Sequence, residues 1–273
     1  MSSRRISSLA LRAWQVGLLL ALFAVWHVAT DPELIPPVYF DNPNKAAFFF
    51  GRPLEVLSRI WTWFATGSIF VHLWITLLET VLAFVVGTVA GLGIGLWLAL
   101  SPTAAAICDP YIKGLNAMPR VILAPIFGVW FGLGLASKVA LGVTLVFFIV
   151  FFNVYQGVRE VSHVVLSNAR MLGASERQLL RHVYVPSAMS WVFASLHNSV
   201  GLAFVGAVVG EYLGAAAGLG YLIQQAEAVF DINTVFAGIL VLTAFALVLD
   251  GLVSFGERRL LRWRPVQGET EPL

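Results

Sequence analysis

Charge is what this 273-residue chain has least of. Only 12% of its residues are Asp, Glu, Lys or Arg, against about 25% in soluble domains, and 59% are hydrophobic. A water-soluble globule is excluded, and a bilayer is the expected solvent. Cysteine is nearly absent: the single Cys108 rules out an internal disulfide and a thiolate zinc site, and it reads as a small apolar filler at a helix end. No Gly-Lys-Ser/Thr occurs anywhere, and the glycine-rich segment 214–220 lacks the Lys-Ser/Thr of a phosphate loop. If ATP is used, another polypeptide binds it. The five histidines, His27, His72, His163, His182 and His197, are scattered, with no His-Glu-x-x-His and no i,i+4 pair. No nucleophile with a base in reach is legible either, so the sequence argues against an enzyme and implies no cofactor or metal on this chain. A net charge of +2 is too small to suggest nucleic acid. Basic residues are missing from the centres of the apolar runs, which weakens any case for an anionic solute made from charge alone.

What is present is a series of apolar runs at about 13–30, 69–100, 120–135, 137–157, 191–213 and 234–255. We read them as six membrane helices of an all-α polytopic protein. Arg4, Arg5 and Arg12 precede the first run, and no small-x-small cleavage site stands convincingly before Asp31, so an uncleaved first helix is expected. With both termini in the cytoplasm, thirteen of the 17 Lys and Arg residues fall inside and four (Lys45, Arg52, Arg59 and Lys138) outside, the bias such proteins carry. The organisation that follows is an anchor helix and outer loop over 1–68, a membrane core over 69–264 and a tail over 265–273.

The outer loop carries Pro32, Pro36, Pro37 and Pro43, then a stretch opened by Pro53 whose apolar residues repeat at helical spacing. It reads as an interfacial helix with Trp61 and Trp63 at headgroup level. In the second run Gly87, Gly91 and Gly95 recur at four-residue steps, the mark of close backbone contact within the chain or with a second copy. The third run is short and interrupted by Pro125, Gly128, Gly132 and Gly134, a pattern tolerated at membrane depth beside a cavity. Ser137-Lys138 reads as a tight outer turn.

Polar residues inside apolar helices are the sharper guide, because burying them is unfavourable unless they face protein, water or solute. His72, Thr76, Glu79 and Thr80 fall on one face of the second run; His197, Asn198 and Ser199 lie in the fifth, and Glu211 near its outer end. His72, Thr76, Glu79, His197, Asn198 and Glu211 are the candidates for a translocation path, with helix-to-helix hydrogen bonding an equal reading for each. Glu79 is expected to face a helix partner or a cavity.

The one long polar segment between apolar runs is residues 167–186, SNARMLGASERQLLRHVYVP. Ser175 with Gln178 three residues on predicts a capping box that starts a short helix. Leu172, Leu179 and Leu180 give that helix a docking face while Arg170, Arg177 and Arg181 stay polar. Pro186 is expected to close it.

Gly173, followed ten residues later by Val183-Tyr184-Val185-Pro186, resembles the Glu-Ala-Ala loop of ABC-importer permeases. Ser167-Asn168-Ala169 stands where that motif has Glu-Ala-Ala, so only the last residue is kept. Further matches follow in one order from about Thr76 to Arg264: Asp109-Pro110, Trp130-Phe131-Gly132, Glu211 with Gly218-Leu219-Gly220, and Phe236-Ala237-Gly238. Together they are similar to the nitrate, sulfonate and taurine branch. The resemblance implies a type I importer fold whose cytoplasmic coupling helix, here Ala169, Gly173, Ala174, Ser175, Glu176, Arg177, Leu179 and Pro186, docks on a separate ATP-binding subunit that carries ATP and magnesium. It also implies a second permease copy, an extracytoplasmic solute-binding protein and a place in the bacterial inner membrane. The branch handles small anions, with thiamine-precursor pyrimidines and aromatic acids as alternatives. An ion-coupled transporter or channel acting without an ATPase, with Glu79 as its site, is the competing reading.

Overall fold

In a medium without water the backbone must bond to itself, and helices achieve that within each segment. The computed structural model describes residues 8–31 and 45–260, and every regular element among them is helical. In chain order these are α1 (Ser8–Thr30), α2 (Lys45–Phe50), α3 (Pro53–Thr66), α4 (Ile69–Leu100), α5 (Pro102–Ala117), a 3-10 turn (Arg120–Leu123), α6 (Ala124–Phe131), α7 (Leu135–Arg159), α8 (His163–Met171), α9 (Glu176–Leu179), a π-helical turn (Leu180–Tyr184), α10 (Val185–Leu213), α11 (Leu219–Ala228) and α12 (Ile232–Leu260). Arg4, Arg5, the prolines at 32, 36, 37 and 43, Arg262, Arg264 and the tail 265–273 lie outside the described residues.

By length and apolarity, four helices among the described residues can cross a membrane: Ala10–Thr30 in α1, α4, α7 and Ile232–Gly256 in α12. A fifth crossing arises if α5 and the limb Arg120–Phe131, bent by 88°, form one broken span. The expected third run is therefore corrected. Its helical part α6 has eight residues, about 12 Å of rise against about 30 Å of hydrocarbon. Pro125 restarts the helix in its first turn, and Gly132 at φ +76° ends it. The expected fifth run lies inside α10, a continuous helix of 29 residues, some of whose side chains are outside the described set.

The chain divides into two compact units. One takes the described residues up to Phe70 together with Leu222–Val241. In it Pro53 opens α3 and Gly67 ends it in the left-handed region, and Trp61 projects outward, 75% exposed. Asn233 ties α3 to the start of α12: its Oδ1 accepts from the Arg52 amide at 2.7 Å, and its Nδ2 donates to Glu55 Oε2 at 2.5 Å. Arg59 pairs with Asp231 at 3.3 Å.

The second unit, Val71–Tyr221 with the described residues from Leu242 onward, is built on α7. The glycine steps of α4 face it. A Cβ on Gly87 would stand 2.7 Å from Val146 Cβ, and one on Gly91 2.9 Å from the Phe147 carbonyl oxygen. Of the two readings of those glycines, close contact within the chain is what the fold uses. On its other side α7 crosses α10 at Gly142 and Gly206, where backbones touch directly. Ala83, Val146, Val150, Val154, Val158, Ala188 and Ala203 fill the interior between these helices. Small and β-branched side chains permit this spacing, since association in lipid rests on packing.

Candidate functional site

Two groups of predicted residues come together in the second unit. The first is a buried polar network. Thr76 Oγ1 donates to Glu211 Oε1 at 2.6 Å and accepts from the Leu219 amide at 3.0 Å. Glu211 Oε2 accepts from the Gly220 amide at 2.7 Å, and His72 Nδ1 accepts from the Gly218 amide at 3.1 Å. Thr80 continues the ladder by donating to the Thr76 carbonyl at 2.7 Å. Thus His72 and Thr76 on the predicted face of α4, together with Glu211 of α10, hold the segment 218–220 through three successive amides. The glycines there are dictated by contact: a Cβ at Gly218 or Gly220 would run into Glu211, and at Gly220 also into the Val208 carbonyl.

Glu79, one turn along the same face, is buried against Glu211 and Lys138. It meets the expectation of a helix partner. Its Oε2 has no hydrogen-bond partner among the described residues. Lys138 itself is a correction. Expected in a tight outer turn, it is instead inside the first turn of α7, buried, packed against Gly210 and donating to the Leu133 carbonyl. The signal was available: a lysine at the N-terminal end of an apolar helix opposes the helix dipole, so it calls for a carboxylate nearby.

His197 and Asn198 do not join this network. His197 Nε2 pairs with Asp250 Oδ1 at 2.6 Å, while Asn198 is exposed. Asp250 escaped the sequence reading although it is the only Asp, Glu, Lys or Arg between Ile232 and Gly256.

The second group is the segment between α7 and α10. Ser162 caps α8 by accepting from the Val164 amide at 3.3 Å. Gly173, at φ +82°, ends α8 in a left-handed turn in which its amide bonds to the Arg170 carbonyl and the Ala174 amide reaches back to Ala169. The capping box is present: Ser175 Oγ accepts from the Gln178 amide at 3.4 Å, and Gln178 Oε1 accepts from the Ser175 amide at 2.7 Å. Arg170 and Glu176 pair across the turn at 3.5 Å. The predicted docking face divides: Leu179 is buried and Leu180 half-buried, whereas Leu172 is 89% exposed.

Pro186 does not close the short helix. The π-helical turn runs from α9 straight into α10, and Pro186 sits in the first turn of α10. The wider i→i+5 turn leaves room for a ring that would clash in an α-helix, and the missing proline amide is not required there. Residues 176–213 are consequently one unbroken helical run. A cavity of about 670 Å³ lies between this segment and the ends of α4 and α7, with Arg159, His163, Arg170, Glu176 and Arg177 on its walls. Among the described residues, no three His, Cys, Asp or Glu side chains are grouped to hold a metal ion.

The chain has clear likenesses among known proteins. The model of the family described as binding-protein-dependent transport system inner membrane component matches residues 87–262. The permease protein SsuC of Bacillus subtilis, named for aliphatic sulfonates transport, is 31% identical over 92% of this chain and 88% of its own length. The taurine transport system permease protein TauC of Escherichia coli is 29% identical over 91% of this chain and 88% of its own. Among solved structures, an inward-facing form of the MetNI methionine ABC transporter superposes with a TM-score of 0.60 at 20% identity, covering 71% of this chain and 94% of that one, which is a likeness of fold.

Proposed function

The chain belongs to the family of binding-protein-dependent transport system inner membrane components, the permeases of ABC importers, and from that premise we propose that it forms the solute path of an ATP-driven importer, with residues 167–186 as the handle moved by its ATPase. The path is formed with a second copy of the chain. Solute arrives from an extracytoplasmic binding protein, and ATP and magnesium reside on the partner. Both termini face the cytoplasm of a bacterial inner-membrane protein. The solute belongs with the small sulfonates and taurine named for its relatives. An ion-coupled carrier acting alone finds no support in these matches.

The observation that carries the handle is the unbroken run from Glu176 to Leu213. A force applied at α9 passes into α10 without a flexible joint, and α10 is packed along α7, the helix that enters the segment from the other side. Gly173 and the capping box hold the free end of that lever at a fixed angle. Closure of the ATPase then moves residues 170–181 as a body and turns the cavity outward.

Gly173→Val tests the reading. No atom lies within 4 Å of where its Cβ would stand, so the change acts through backbone conformation, where a left-handed non-glycine residue costs about 1–2 kcal/mol. We expect membrane insertion and ATPase association to persist while uptake per ATP hydrolysed falls several-fold in proteoliposomes. Gly173→Asn, which tolerates that conformation, should retain coupling. Ser175→Ala removes a cap worth about 1 kcal/mol and should give a smaller loss. A valine variant with an unchanged ratio of uptake to hydrolysis would refute the handle.

A further inference from the structure

Between α10 and α12 lies a groove of about 250 Å³ whose walls are apolar, Val200, Phe204, Leu247 and Val253 among them, and whose polar end is the His197–Asp250 pair. The side chains of that pair are 41% and 55% exposed. Asp250 is six residues inside Gly256, the end of the apolar stretch of α12, which places it about 9 Å along the helix axis from that end. An acid–imidazole pair open to hydrocarbon at such depth is strongly disfavoured, so the groove faces either water or a cover.

The chemistry of the polar end favours one kind of occupant. Among the described residues that line the groove, Asp250 and His197 are the only ionisable ones. Bonding to His197 engages Oδ1 of Asp250, and the second carboxylate oxygen remains an acceptor for another donor. An oxyanion would meet a carboxylate there. A group that donates, an ammonium or a ring N–H, would meet its complement, while the apolar walls take a carbon skeleton.

We propose that this groove is a water-accessible solute site that selects for a positively charged or N–H-donating group and rejects bare oxyanions. The inference rests on the permease reading and narrows its solute: an amine-bearing sulfonate fits, and nitrate or an alkanesulfonate without a donating group does not.

Charged thiol reagents test this without knowing the solute. In a Cys108→Ala background, Val200→Cys places one thiol on the groove wall, a single turn from His197. The full transporter is reconstituted with its ATPase and binding protein and treated with 2-(trimethylammonium)ethyl or 2-sulfonatoethyl methanethiosulfonate, and each rate is divided by that of the reagent with a free thiol. We expect the cationic reagent to win by about tenfold, a ratio that one nearby negative charge can set. With Asp250→Asn, which is isosteric and can still bond to His197, the ratio should fall to near one, size exclusion reporting an intact assembly. Silence toward both reagents would mean that lipid or a second copy seals the groove, and would overturn the proposal. Equal rates, an anionic preference, or a ratio unmoved by Asp250→Asn would overturn it as well. ATP-driven uptake in the same vesicles separates the two ideas. Intact uptake without discrimination defeats the groove alone, whereas discrimination with no associated ATPase defeats the importer reading alone.

Discussion

A Glu211→Ala permease is expected to unfold far below the wild type and to support no measurable uptake. The carboxylate is fully buried and is the one group that joins Thr76 of α4 to the Gly220 amide. Removing it leaves a buried N–H without an acceptor, about 1–3 kcal/mol, and strips Lys138 of one of two neighbouring carboxyls. Loss of one member of a buried charge group costs about 3–5 kcal/mol. Glu211→Gln should be milder. Its amide oxygen can keep the Gly220 contact while its NH2 donates to Thr76, whose own proton turns to the His72 carbonyl 3.0 Å away. Thermal unfolding in detergent should rank wild type, Gln and Ala in that order. An alanine variant that melts with the wild type would show that the network does not hold the 218–220 segment.

The second large effect is expected at the α7–α10 crossing. A Cβ on Gly206 would stand 2.5 Å from Gly142 Cα and 2.9 Å from its nitrogen. The obstacle is backbone, which cannot rotate away. Gly206→Leu must therefore push the helices apart, at a cost at or above the usual 1–3 kcal/mol for overpacking. Because these are the two helices that flank the segment 167–186, uptake should vanish along with thermal stability. Gly93→Leu, at a glycine of α4 with nothing within 4 Å, should stay within about 0.5 kcal/mol of wild type. If both leucine variants behave alike, the close crossing is not what holds the unit together.

Much of the membrane architecture was legible because it follows from local chemistry. A run of apolar residues long enough to span, a capping box, and polar groups at three- and four-residue steps each depend on neighbours in the chain, and α1, α4, α9 and the Thr76–Glu79 face came out where they were read. The bent pair α5–α6 was less accessible. Proline and glycine announced an interruption there, but not that Arg120–Phe131 would fold back on a preceding helix at 88°. Pro186 was misjudged for a related reason: a proline ends a helix only if the turn before it is α, and a π-helical turn is not written in any short pattern.

By itself the sequence determined a membrane protein without a nucleotide-binding motif and the position of its one long polar segment, since composition, hydrophobic period and caps are properties of contiguous residues, while the family came from resemblance of separated motifs. Only the tertiary structure decided which polar groups meet. Lys138 passed for a turn residue and Asp250 went unread until packing set one against Glu79 and Glu211 and the other against His197. Partners separated by dozens of residues are chosen by how helices cross, and those crossings are fixed by close approach at Gly91, Gly142 and Gly206, where contact between distant segments outweighs any preference a residue carries alone.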